Sequence, residues 1–213
     1  MKFESFLKSI VKIENLPLPA EKAQFKMSPP FRADLIKLQP ERIKNAKKSA
    51  VMALFYPNLE GETHMILILR KTYKGVHSAQ IGFPGGKLEA NETNKQAALR
   101  ETEEEIGVKQ NTIKVLKELT QLYIPPSNFY VKPFIGIVEN TPGFLKQDAE
   151  VEALLEVNLD HFLNDKVITS KMVTTANGLK VSVPAYHLNG HLVWGATAMM
   201  LSEVKDLLKA SFK

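Results

Sequence analysis

Phe3, Phe6, Leu7, Ile10 and Val11 recur at the three- and four-residue spacing of one helix face, which predicts a short amphipathic helix over 3–14. Residues 15–32 lose that period and carry Pro17, Pro19, Pro29 and Pro30, so they read as an irregular arm. A continuous apolar run over 50–56, a turn at 57–61 and a second apolar run over 65–69 predict two buried strands joined as a hairpin. Residues 72–92, with Gly75, Gly82, Pro84, Gly85 and Gly86, read as loop. A helix is expected over 94–106, opened by a Thr93/Gln96 capping box and closed by Gly107 just past its end. Strands are expected at 113–119, 130–138 and 151–157.

The last third carries two Asn-Gly pairs, the pair that supplies both positive-φ positions of a type I′ turn. Asn177-Gly178 separates strands over 167–175 and 179–186, and Asn189-Gly190 separates the latter from 192–194. A closing helix over 196–211 presents Met200, Leu201, Val204, Leu207 and Leu208 as one stripe, which reads as core packing. Strands mixed with a few helices indicate an α/β layered fold, and no internal repeat interrupts it.

Composition sets limits on the chemistry. The 213 residues are 44% hydrophobic and 24% charged, a globular balance for one domain with an N-terminal extension. Cysteine is absent, which excludes disulfides, thiolate metal sites and a cysteine nucleophile. It also fits a reducing compartment, and a cytoplasmic location is expected. No stretch reaches the ~18–20 apolar residues of a membrane span, and Glu4 interrupts the N-terminus early, so neither a membrane partner nor a signal peptide is expected. The net charge of +5 invites a nucleic-acid reading, but its distribution argues against one. Residues 1–50 hold 11 basic and 5 acidic side chains, while the other 163 hold 17 and 18. The surplus is confined to an arm with no nucleic-acid motif.

The acidic residues are more informative. On a helix over 94–106, Glu101, Glu104 and Glu105 share a face, and carboxylates so placed repel one another without a compensating cation. Carboxylate oxygens are hard ligands suited to Mg²⁺ or Mn²⁺. Glycines at 82, 85 and 86 permit close backbone approach to a metal or phosphate. Arg100 stands beside Glu101 but is expected to point elsewhere on the helix and to brace Glu92 from the loop. Taken alone, Glu103-Glu104-Glu105 would be an ordinary solvated face.

The wider spacing points further. The segment resembles the Nudix hydrolase signature G-x5-E-x7-R-E-U-x-E-E-x-G-U, where U is aliphatic. Gly86, Glu92, Arg100, Glu101, Glu104, Glu105 and Gly107 fill all seven specified positions, and Val108 fills the last aliphatic slot. Thr102 departs at the first aliphatic slot. Seven such matches arise by chance with a probability of order 10⁻⁷ to 10⁻⁶ at ordinary residue frequencies.

The resemblance implies a Nudix α/β/α sandwich, a mixed sheet between helices, occupying residues 46–213 behind an arm of residues 1–45. It implies hydrolysis of a nucleoside diphosphate linked to another moiety, with Mg²⁺ or Mn²⁺. Glu101, Glu104 and Glu105 would ligate the metal, helped by a carbonyl at Gly85 or Gly86, and a glutamate of the helix or a later loop would accept the proton of water.

Flanking residues narrow the family. Leu67, Arg70, Phe83, Pro84, Gly85 and Gly86 are similar to the pattern L-L-T-x-R-[SA]-x3-R-x3-G-x3-F-P-G-G of the coenzyme A pyrophosphatase subgroup, with His77 a common companion. Ile68, Lys71, Gly75 and Ala79 depart from it. Gly75 stands where the subgroup has a second arginine, and glycine makes no bidentate phosphate contact. Glu150 matches a downstream glutamate that approaches the metal. On this resemblance the catalytic set is Arg100, Glu101, Glu104, Glu105 and Glu150, and Arg70, His77, Phe83 and Gly85 meet the substrate. The expected substrate is coenzyme A or an acyl-CoA, a small-molecule nucleotide. ADP-ribose, a dinucleoside polyphosphate or an NTP is the alternative, and a non-catalytic nucleotide-sensing module is a third reading. Trp194 is expected in the core and Pro125-Pro126 as a rigid turn. Phe129 or Tyr130 stands open as a base stacker or as strand packing. Two roles stay open for residues 1–45, capping the sheet or a homodimer contact.

Overall fold

The computed structural model describes residues 1–37, 40–71, 80–175 and 178–212. In chain order the regular elements are α1 (Phe3–Ile10), α2 (Ala20–Gln24), α3 (Arg32–Lys37), α4 (Pro40–Lys44), β1 (Lys47–Pro57), β2 (Thr63–Arg70), β3 (Ile81–Gly82), β4 (Gly85–Lys87), α5 (Asn94–Ile106), β5 (Lys114–Glu118), β6 (Leu122–Ile124), β7 (Phe129–Ile137), β8 (Val151–Asn158), α6 (Leu159–Leu163), β9 (Ile168–Thr174), β10 (Lys180–Leu188), β11 (His191–Trp194) and α7 (Gly195–Ser211).

The unbroken apolar run of β1 has a direct cause: it is a central strand buried on both faces. Val51, Ala53 and Phe55 point into one core with Met65 and Leu67 of β2. Ala50, Met52, Leu54 and Tyr56 point into another with Ile66 and Ile68. The first core is closed by α7, through Met199, Met200, Leu201, Val204, Leu207 and Leu208, and by Phe3, Phe6, Ile10 and Ile13. The second is closed by α5 through Ala97, Ala98 and Ile106. Helices on both faces of one sheet make the expected α/β/α sandwich. The sheet is mixed: β1 runs parallel to β7 from Lys47↔Phe129 to Phe55↔Ile137 and antiparallel to β2 and β4. The β2 strand pairs antiparallel with β8 on its other side. A separate three-stranded sheet has the order β11-β10-β9. Its β10–β11 turn holds Asn189 at φ +49° and Gly190 at φ +80°, as a type I′ hairpin requires. Asn177 of the other predicted hairpin lies outside the described residues. No helix among the described residues is long and apolar enough to cross a membrane.

The arm differs from expectation. The first helix ends at Ile10 and tightens into a 3₁₀ turn over Val11–Asn15. Residues 15–32 are not irregular: α2 lies among them, with Ala23 and Gln24 buried. Gln24 Nε2 donates to Glu203 Oε2 at 2.9 Å, and Ser202 Oγ donates to the Ala23 carbonyl at 2.7 Å, tying α2 to α7. The prolines fall between short helices, where the missing N–H costs no intrahelical bond. A five-residue helix is too short to show a period, so only its prolines are visible in the sequence.

Candidate active site

The site is built on the C-terminal half of α5 and the glycine strand β4. Thr93 caps α5, receiving the Gln96 N–H at 3.3 Å and donating its own backbone N–H to Gln96 Oε1 at 2.9 Å. Gly107 ends the helix at φ +75°. Thr102, the departure from the aliphatic slot, is buried and donates its hydroxyl to the Ala98 carbonyl at 2.6 Å. That internal bond satisfies its polar atom and leaves a valine-like surface to the core.

A cleft of about 640 Å³ is lined in part by Arg70, Gly85, Gly86, Arg100, Glu101, Glu104 and Glu150. Gly86 matters by having no side chain: a Cβ there would lie 2.4 Å from the Glu101 carboxyl carbon, so glycine alone lets that carboxylate rest on the β4 backbone. Glu105, only 2% exposed, accepts the Gly85 N–H on Oε2 at 2.8 Å. Its Oε1 lies 2.9 Å from Arg70 Nη1, an ion pair by distance, yet no donor is aligned on that buried oxygen. Burial pushes the Glu105 carboxyl up to about 7; Arg70 and the Gly85 N–H oppose the shift, and Glu101 and Glu150 add to it. Burial also raises Glu101, against the pull of Arg100.

Arg100 does brace Glu92, through Nε–Oε1 at 2.9 Å and Nη2–Oε2 at 3.1 Å, and so holds Glu92 below the usual carboxylate range. Contrary to expectation it does not point away from the other glutamates. Its Nη1 reaches Glu101 Oε1 at 2.9 Å and Glu104 Oε2 at 3.1 Å, because the long side chain curls back over its own turn to the i+4 position. Arg70 Nη2 donates to the Gly85 carbonyl at 2.6 Å, so its guanidinium spans Gly85 and Glu105.

Two arginines therefore hold the carboxylates, and among the described residues no three His, Asp or Glu side chains form a closed metal-binding group. The donor set nonetheless fits a hard divalent cation: every candidate ligand is oxygen, burial and neighbouring carboxylates raise Glu101 and Glu105, and Glu105 Oε1 is an orphaned acceptor. Mg²⁺ commonly takes few carboxylates and completes its shell with water and substrate phosphate, so a closed cage is not required.

The other expected residues divide. Phe83 is 2% exposed and packs in the core while contributing to the cleft wall. His77, Gly75 and Ala79 lie outside the described residues. Trp194 is not in the core: it is partly buried at the end of β11, lines the cleft, and carries Lys171 Nζ 5.5 Å from its ring centre. Pro125 and Pro126 form the turn between β6 and β7 and also line the cleft, as does Phe129. Tyr130 pairs instead with Tyr123, ring centres 5.1 Å apart. Sequence reasoning missed Phe31, Arg32 and Leu35, which reach the cleft from the arm. No local pattern marks them, since the contact depends on how the arm folds back.

The raised Glu105 carboxyl makes a prediction for the metal-free protein. A carboxyl whose folded value exceeds its unfolded value of about 4.5 favours folding when protonated, and that contribution is lost as pH rises from there through about 7. The loss is on the order of 3 kcal/mol at one unit per 1.36 kcal/mol. Thermal denaturation in EDTA should show a falling midpoint over this window in the wild type and a flattened profile in Glu105→Gln. Parallel profiles would refute the assignment.

A model of the NUDIX domain matches residues 47–172. Nudix hydrolase 3 of Caenorhabditis elegans is 23% identical over 189 residues, which cover 79% of this chain and 78% of that protein. The mitochondrial Nudix hydrolase 15 of Arabidopsis thaliana is 32% identical over 130 residues, 60% of this chain but only 45% of the plant protein. The uncharacterized Nudix hydrolase NudL of Yersinia pestis (strain Pestoides F) is 29% identical over 141 residues, 66% of this chain and 70% of its own. Among solved structures, the Nudix hydrolase RenU of M. smegmatis superposes with a TM-score of 0.53 at 15% identity, over 78% of this chain and 87% of that one, a likeness of fold.

Proposed function

Since the chain belongs to the Nudix family and is a Nudix pyrophosphohydrolase, we propose that it hydrolyses the diphosphate bond of coenzyme A or an acyl-CoA, giving 3′,5′-ADP and 4′-phosphopantetheine or its acylated form. The observation that carries this reading is the mixed lining of the cleft. Glu101, Glu104, Glu150 and Gly86 share it with the apolar Phe31, Leu35, Ile124, Phe129, Met199 and Met200. A diphosphate suits the metal-binding carboxylates, and the nucleoside joined to it suits the apolar wall. The Phe83-Pro84-Gly85-Gly86 run and Arg70 match the coenzyme A pattern at the same place.

A bound Mg²⁺ or Mn²⁺ would neutralise phosphate charge and acidify attacking water. Glu101, Glu104 and Glu105 would hold it, with Glu150 beside them. Arg100 ties Glu92 of the preceding loop to Glu101 and Glu104 on α5. Arg70 fixes the Gly85 carbonyl and offsets the charge of Glu105. Glu105, near 7, is placed to hold or release a proton around neutral pH.

Gly75, in place of the subgroup's second arginine, favours a second reading, in which ADP-ribose, a dinucleoside polyphosphate or an NTP is the substrate. A panel of these with CoA and acetyl-CoA, compared by kcat/KM in Mg²⁺, separates the two. The CoA compounds should lead by about tenfold or more, a difference of roughly 1.4 kcal/mol in transition-state binding. A leading ADP-ribose or NTP would replace the first reading with the second.

A further inference from the structure

Arg32 is the first residue of α3, carried to the cleft by the segment that follows Pro29-Pro30. Phe31 and Leu35 line the wall with it, and Ile124, Pro125 and Phe129 lie on the facing elements. Its guanidinium is held in place from one side: Nη2 donates to the Tyr123 carbonyl on β6. Its Nε is buried and has no hydrogen-bond partner. A buried, charged donor without an acceptor is costly, and a native protein keeps one chiefly where a ligand supplies the acceptor.

Among the described residues, the other cations that line the cleft are paired or exposed. Arg70 spans Glu105 and Gly85, Arg100 spans Glu92, Glu101 and Glu104, and Lys87 is exposed. Arg32 makes no ion pair among those of the described residues. Burial lowers its proton affinity, and Glu21 and Tyr123 only partly oppose that shift.

We propose that Arg32 binds a phosphate of the substrate other than the diphosphate that is cut, one carried on the nucleoside held against the apolar wall of the cleft. This rests on the reading of the cleft as a nucleotide site and specifies which nucleotide: one with an additional phosphomonoester. A guanidinium offers the planar, charge-assisted contact that Gly75 cannot, from a segment outside the family signature.

The test uses equilibrium binding and needs no turnover, so it is independent of whether CoA is cleaved. Calorimetric titration with adenosine 3′,5′-bisphosphate and with 5′-AMP should show the wild type preferring the bisphosphate by about tenfold or more, the worth of one charge-assisted contact. Arg32→Gln should collapse that ratio towards one, and Arg32→Lys should retain part of it. Because Arg32 also anchors to Tyr123, circular dichroism on both variants establishes that they fold, and Arg32→Lys carries the test if the glutamine variant does not. A wild type without preference for the bisphosphate, or variants that keep the full ratio, overturns the proposal.

Discussion

Glu104→Gln is expected to lower kcat by about 10³-fold or more in saturating Mg²⁺ while leaving the thermal midpoint within about 1 °C of the wild type. The two halves have separate causes. Glu104 is more than half exposed and, among the described residues, ion-pairs only with Arg100, which keeps its bidentate pair with Glu92 when Glu104 is neutralised. An exposed pair of this kind contributes on the order of 0–1 kcal/mol to folding. Loss of a carboxylate from the metal-holding set, by contrast, removes several kcal/mol of charge stabilisation in the transition state, and each 1.36 kcal/mol is tenfold in rate. Stopped-assay kinetics beside calorimetry check both. A glutamine variant with near wild-type kcat would remove Glu104 from the catalytic set.

Gly85→Ala is expected to destabilise the whole fold by roughly 4 kcal/mol, the sum of backbone strain and overpacking. Gly85 adopts φ +146°, and a Cβ there would lie 2.3 Å from the Ala50 carbonyl oxygen and 2.5 Å from the Val51 Cα. Neither atom belongs to a flexible side chain, since β4 pairs antiparallel with β1 at this point, Val51 opposite Gly85. The thermal midpoint should fall by about 10 °C, and activity should fall with it because Gly85 also donates to Glu105. A midpoint within 2 °C of the wild type would show that the strand moves aside easily. Gly61, at φ +70° with no heavy atom within 4 Å of a built Cβ, is the natural control.

The parts of this molecule visible in the sequence are those whose signals are local. The capping box, the Gly107 stop, the two-sided apolar run of β1 and the Asn189-Gly190 turn each depend on residues a few positions apart. The Nudix signature is local too, which is why its spacing alone puts its glutamates on one face of α5. Short helices were lost among prolines because five residues carry no period. The reach of Arg100 back to Glu101 and Glu104 depends on rotamer, which spacing does not set. Residue type predicts Trp194 in the core, but its position at the junction of β11 and α7 leaves it only partly buried on the cleft wall. Arg32 lies 69 residues before Glu101, and only the folding of the arm over β6 brings it to the same cleft.

The carboxylates of this cleft are expected to cut the diphosphate of a CoA-type substrate. The most direct measurement is product analysis after incubating the purified protein with CoA and Mg²⁺, with an EDTA control. Equimolar 3′,5′-ADP and 4′-phosphopantetheine, formed only with the metal, is the predicted result. Intact CoA under conditions where ADP-ribose or an NTP is turned over briskly would contradict it.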